Sequence, residues 1–160
     1  MTLAAALMLS ACEKWPASYH SLNLAWTECA STKADGTKAS GEATTWLTLE
    51  YTDDGLAIIL TDAEMNCAIN IDGLDEYVNI EDNVITYTII QSFRANCNCL
   101  IERVSSTITG LETGKKYVLY YSYGIGNLKP IEFRYEKGFR KRINVKKNFD
   151  NTGNVITDGQ

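Results

Sequence analysis

From Thr45 onward the chain is written in short runs that alternate apolar and polar residues, and no longer run carries a helical apolar repeat. A strand buries one face and a helix buries one stripe, so alternation without a helical period restricts the fold to packed sheets. The candidate strands are residues 23–29, 46–51, 56–60, 65–71, 77–80, 84–93, 100–108, 117–123, 131–135 and 142–146. In the first, Leu22, Leu24 and Trp26 fall on one side. Asp54-Gly55 and Asp72-Gly73 mark turns, because glycine accepts a positive φ. Residues 61–67 compete as a single helical turn. Residues 31–44, rich in Ser, Thr, Ala, Lys and Gly, read as a loop. About seven to nine short strands are met most economically by a β-sandwich, in which two sheets bury their apolar faces against each other.

The length of 160 residues suits one domain with a real core. The single histidine, His20, would have to serve alone in any histidine-based triad, zinc site or proton shuttle. Asp53-Asp54, Asp72, Asp75-Glu76 and Glu81-Asp82 lie in or beside predicted turns, where carboxylates usually satisfy backbone amides. They lack the spaced ladder of a calcium loop. Ser105-Ser106 follows no nucleophile-elbow glycine, and Gly124-Ile125-Gly126 lacks the strand, third glycine and helix of a dinucleotide site. No catalytic residue, metal site or cofactor is expected.

Residues 2–11 are apolar and small, too short a run for the roughly 18 residues of a membrane-spanning helix, and they match the core of a secretory signal. Leu9-Ser10-Ala11-Cys12 resembles the lipobox of bacterial lipoproteins. That resemblance implies removal of residues 1–11, acylation of Cys12 and a lipid bilayer as partner. No Lys or Arg precedes Cys12, so the charged start of a signal would have to lie upstream of Met1. The expected organisation is signal peptide 1–11, tether 12–21, β-sandwich domain 22–147 and flexible tail 148–160.

Cys29, Cys67, Cys97 and Cys99 remain, and four cysteines allow three pairings. Export through an oxidising space makes disulfides the expected state. On a strand Cys97 and Cys99 point to one face, so they are expected to bond to separate partners. A four-sulfur zinc site is the competing reading, but the paired knuckles of such sites are absent.

Leu111-Glu112-Thr113-Gly114-Lys115-Lys116-Tyr117 resembles the tyrosine-corner segment of fibronectin type III domains, with Thr113 where that family has proline. The resemblance implies that Leu111 packs into the core, Gly114 turns the chain between sheets and the Tyr117 hydroxyl bonds to nearby backbone. Cys97-Asn98-Cys99, the strand after it and the glycine turn before Tyr117, together with Cys12, also resemble small exported lipoproteins of the Bacteroidetes type. That implies an all-β, immunoglobulin-like β-sandwich and a place in the envelope, and it assigns no functional residue.

Charge is uneven: residues 1–114 hold 16 acidic and 5 basic side chains, net -11, and residues 115–160 hold 10 basic and 4 acidic, net +6. Lys137, Arg140, Lys141, Arg142 and Lys146, followed by Lys147, form a basic cluster. With Tyr121 and Tyr123 it is a candidate binding surface, while Tyr120 faces away from those two tyrosines. An acidic body and an exported chain argue against nucleic acid. The expected function is that of a non-enzymatic envelope lipoprotein with a binding or structural role at the cell surface or in the periplasm. The outer membrane is the expected site. Another envelope protein, joined by strand addition, and a polysaccharide are the candidate partners. A carbohydrate-binding accessory domain is the alternative, and a small hydrolase a further one.

Overall fold

In a computed structural model, residues 21–29, 44–123 and 126–150 are described. Their strands are β1 (Ser21–Trp26), β2 (Trp46–Thr52), β3 (Gly55–Asn66), β4 (Leu74–Glu81), β5 (Val84–Gln91), β6 (Asn98–Ile108), β7 (Lys116–Tyr123), β8 (Gly126–Asn127), β9 (Ile131–Arg134) and β10 (Arg140–Asn144). One turn of helix, α1 (Ile69–Asp72), joins β3 to β4. The first sheet runs β1-β6-β3-β2-β10, all antiparallel. In the second, β4-β5-β7, the pieces β8 and β9 both pair with β7 along its outer side. The two sheets bury one core between them, and the domain is an all-β, immunoglobulin-like sandwich. One pairing has no antecedent in the sequence pattern: β5 runs parallel to β7, with β6 crossing to the other sheet between them. Leu47, Leu49, Leu56, Ile85, Ile101 and Leu119 are fully buried at its centre.

Gly55 opens β3 at a tight turn after Thr52. Its φ of 146° lies where side chains are disfavoured, and a Cβ there would run into the carbonyl oxygen of Ile108 on β6. The turn therefore needs glycine for space as well as for conformation.

Several strand expectations change, each for a local reason. β3 continues from Leu60 to Asn66 because both it and β6 shift face together near Asp62. Asp62 sits at φ 53°, so Leu60 and Ala63 both point inward, opposite Val104 and Ile101. A pattern reader sees the alternation break and ends the strand. Residues 65–71 are accordingly not one strand: Met65 and Asn66 end β3, and the helical turn falls at Ile69 rather than within 61–67.

In β1 the register slips by one residue between Leu22 and Ala25, with Asn23 at φ 62°. This bulge turns Leu22 outward while Leu24 packs against the core. Ser21 already belongs to β1, and at the other end the chain stays docked through Asp150, beyond the expected domain limit at 147. The Asn148 carbonyl accepts the Lys129 amide at 2.8 Å, the Asp150 amide donates to the Asn127 carbonyl at 2.9 Å, and Phe149 packs against the core. The loop at 31–43, Cys12 and His20 lie outside the described residues.

Candidate functional site

Both disulfides form at one end of the sandwich. Cys29 bonds Cys99 and Cys67 bonds Cys97, each with Cα atoms 5.6 Å apart. Cys99 points inward from β6, while Cys97 lies just before that strand. The pair therefore ties the ends of β1 and β3 to the start of β6. The chain enters the sheet at Ser21, opposite Ile108, which is the other end of the domain.

At the bend before β7, the Tyr117 hydroxyl accepts the Glu112 amide at 2.9 Å, and the Gly114 amide donates to the Tyr135 carbonyl. Gly114 has a φ of 87°, and Leu111 packs against the core. The tyrosine is buried and works as a structural fastening.

The basic residues lie along the β10 edge. Lys137, Arg140, Lys141, Arg142 and Lys146 are exposed. Arg140 faces Glu50 at 3.8 Å, and the Arg142 guanidinium sits 4.3 Å over the Trp46 ring. Lys141 lies opposite the buried Leu49, and its ammonium bonds the Glu132 carbonyl of β9 at 3.0 Å. Lys146 is not on a strand face with Arg142, because β10 ends at Asn144 and Lys146 begins a short 3-10 turn.

Tyr121 and Tyr123 are buried on the inner face of β7 and do not join the basic cluster in a common surface. Residues 117, 119, 121 and 123 alternate onto the inner face of β7, and all four are buried. Tyr121 stacks on Tyr87 with ring centres 5.4 Å apart, and its hydroxyl has no hydrogen-bond partner.

Beside that stack, between the β1 and β4 edges, is a half-buried polar cluster. The Tyr87 hydroxyl donates to Glu76 at 2.7 Å, Ser21 donates to the other Glu76 oxygen, and Ser21 and Ser106 hydroxyls lie 3.0 Å apart. Burial, and next the Glu76 charge, push the Tyr87 phenol far above its ordinary range, so it stays a donor. Burial likewise pushes Tyr121 up. The arrangement fastens the β1 edge to β4. Its carboxylate is occupied by two hydroxyl donors. Among the described residues, no three His, Cys, Asp or Glu side chains gather as a metal site would need.

The open surface of chemical interest is the outer face of the β4-β5-β7 sheet, which the sequence reading did not single out. Pairing aligns Tyr77, Thr88, Ser122 and Asn127 in one row across the strands. Asn79, Thr86 and Tyr120 form the next. Tyr77 is 37% exposed, Val84 40% and Ile90 47%, while Tyr120 is half-buried. Ser122 donates to Thr88 at 2.8 Å. Charge lies around the margins: Glu81, Glu132, Lys116 and Arg134 at one end, Asp75 at the other, and exposed Lys129 beside Tyr120 at the β8-β9 edge. Each end has a shallow depression. One, of about 320 Å³, is lined by Thr88, Ile90, Phe93, Ser122 and Asn127. The other, of about 510 Å³, is lined by Asn83, Lys116, Val118, Glu132 and Arg134.

The sheet edges are poorly suited to an incoming strand. β10 carries an exposed lysine and two exposed arginines, and β1 is short and bulged. The β8-β9 edge is interrupted at Pro130 and holds residues 148–150, while β4 carries Asp75, Glu76 and Glu81. No family model, no curated protein and no solved structure matches this chain.

Proposed function

We propose that the protein is a non-enzymatic binding module of the cell envelope. In this reading it is exported, acylated at Cys12 and held at a membrane, and it takes its ligand on the outer face of the β4-β5-β7 sheet. The observation that carries the reading is that face: an open surface with Tyr77, Tyr120, hydroxyls and amides at its centre and a depression at each end. Two disulfides using all four remaining cysteines support an oxidising compartment. The blunted edges count against strand addition as the mode of assembly.

The test places a photo-crosslinking residue at Tyr77, at Tyr120 or at Thr107, on the outer face of the other sheet, in the full chain in its native membranes. Adducts form at Tyr77 and Tyr120 and not at Thr107. Adducts confined to Thr107, or none at the tyrosines, overturn the assignment of the face.

A further inference from the structure

We infer that the ligand of the β4-β5-β7 face is a neutral oligosaccharide, an inference that rests on the reading of this face as the binding surface. Three observations converge on that chemistry. The two central rows, Tyr77-Thr88-Ser122-Asn127 and Asn79-Thr86-Tyr120, contain no ammonium, guanidinium or carboxylate. A charged ligand would lose hydration there with nothing of opposite sign to replace it. The polar groups present are hydroxyls and amides, which both donate and accept, as sugar hydroxyls do.

The two tyrosines supply the apolar part. A tyrosine presents a ring with a polar tip, which matches a pyranose with its C–H face and hydroxyl rim. Tyr77 is on β4 and Tyr120 on β7, two strands across and one row along. Standard sheet spacings put them about 12 Å apart, a separation that a short run of sugar rings spans. The depression bordering Thr88, Ser122 and Asn127 is open rather than enclosing, which favours an extended chain over a small molecule swallowed whole. The charged residues at the margins leave this neutral strip as a track across the strands.

The experiment is calorimetric binding by the purified full chain in detergent. The probes are linear glucose, mannose, xylose and galactose oligomers of six units, with a polyuronate as the anionic comparison. At least one neutral oligomer binds, and its affinity is unchanged by raised salt. Tyr77→Ala and Tyr120→Ala each weaken it about 10-fold or more, while Tyr77→Phe stays within about 3-fold, because the ring does the stacking. Arg142→Ala, on the other sheet, leaves it unchanged. If no neutral oligomer binds although crosslinks form at Tyr77 and Tyr120, the inference is overturned and the binding face stands. Binding of polyuronate alone, lost with salt or in Arg142→Ala, also overturns it. If neither sugar binding nor crosslinking occurs, both readings fall.

Discussion

Replacing Cys29 and Cys99 together by serine lowers the free energy of unfolding by about 4 kcal/mol, the largest loss expected from removing any one covalent feature of the domain. The bridge joins residues 70 apart, so its removal frees a long loop in the unfolded chain. The folded state loses as well, since Cys99 is buried on the inner face of β6 and serine leaves a polar group there. Cys67 and Cys97 are 30 apart, and their shorter loop corresponds to about 3.5 kcal/mol. Against a typical total of about 5–15 kcal/mol, either loss brings the domain close to its threshold. Urea unfolding of the two double-serine variants measures both, with the Cys29/Cys99 pair giving the larger drop in midpoint. A loss under about 1 kcal/mol for both pairs would mean that the bridges do not constrain the chain as described.

Stability also falls steeply above pH 10. Tyr87 and Tyr121 are each 1% exposed, and both hold their protons more tightly in the folded state than their ordinary value of 10.0. Below that value folded and unfolded chains are equally protonated, and the contribution to stability is complete. Above it the unfolded chain releases protons that the folded chain retains, so the balance tips toward unfolding. Each such tyrosine contributes a slope of about 1.4 kcal/mol per pH unit. Two of them give roughly twice that, and the transition sharpens accordingly. The tyrosinate absorbance of this pair appears together with the loss of near-ultraviolet circular dichroism, not before it. Tyr121→Phe removes one of the two protons without breaking a hydrogen bond, because that hydroxyl has no partner. The variant makes the decline shallower by about 1.4 kcal/mol per pH unit. An unchanged slope would contradict the assignment.

The alternating pattern was sufficient for the fold class because most strands keep one phase from end to end. In β7, Tyr117, Tyr121 and Tyr123 were legible as sharing a face, but the pattern does not say whether that face is core or solvent. The burial of Leu119 between them resolves it inward. Where phase breaks, the sequence misleads: Asp62 and Asn23 take left-handed backbone and reverse the alternation inside a strand. The two-residue spacing of Cys97 and Cys99 pointed to separate partners, yet it could not choose between Cys29 and Cys67. The candidate face was hidden for a different reason. Tyr77, Thr86, Thr88, Tyr120 and Ser122 come from three strands, and only the parallel pairing of β5 with β7 sets them in common rows. Nothing in a local pattern announces a pairing between segments separated by an entire strand of the opposite sheet.

The proposed address outside the cytoplasm is the shared premise of the proposed acyl anchor and the proposed ligand, and it accords with the two bridges. Intact-mass analysis of the chain taken from its native membranes, run with and without a thiol-alkylating reagent, tests it most directly. The account predicts a chain beginning at an acylated Cys12, with no alkylation at Cys29, Cys67, Cys97 or Cys99. A polypeptide retaining residues 1–11, unacylated and alkylated at all four of those cysteines, would contradict it.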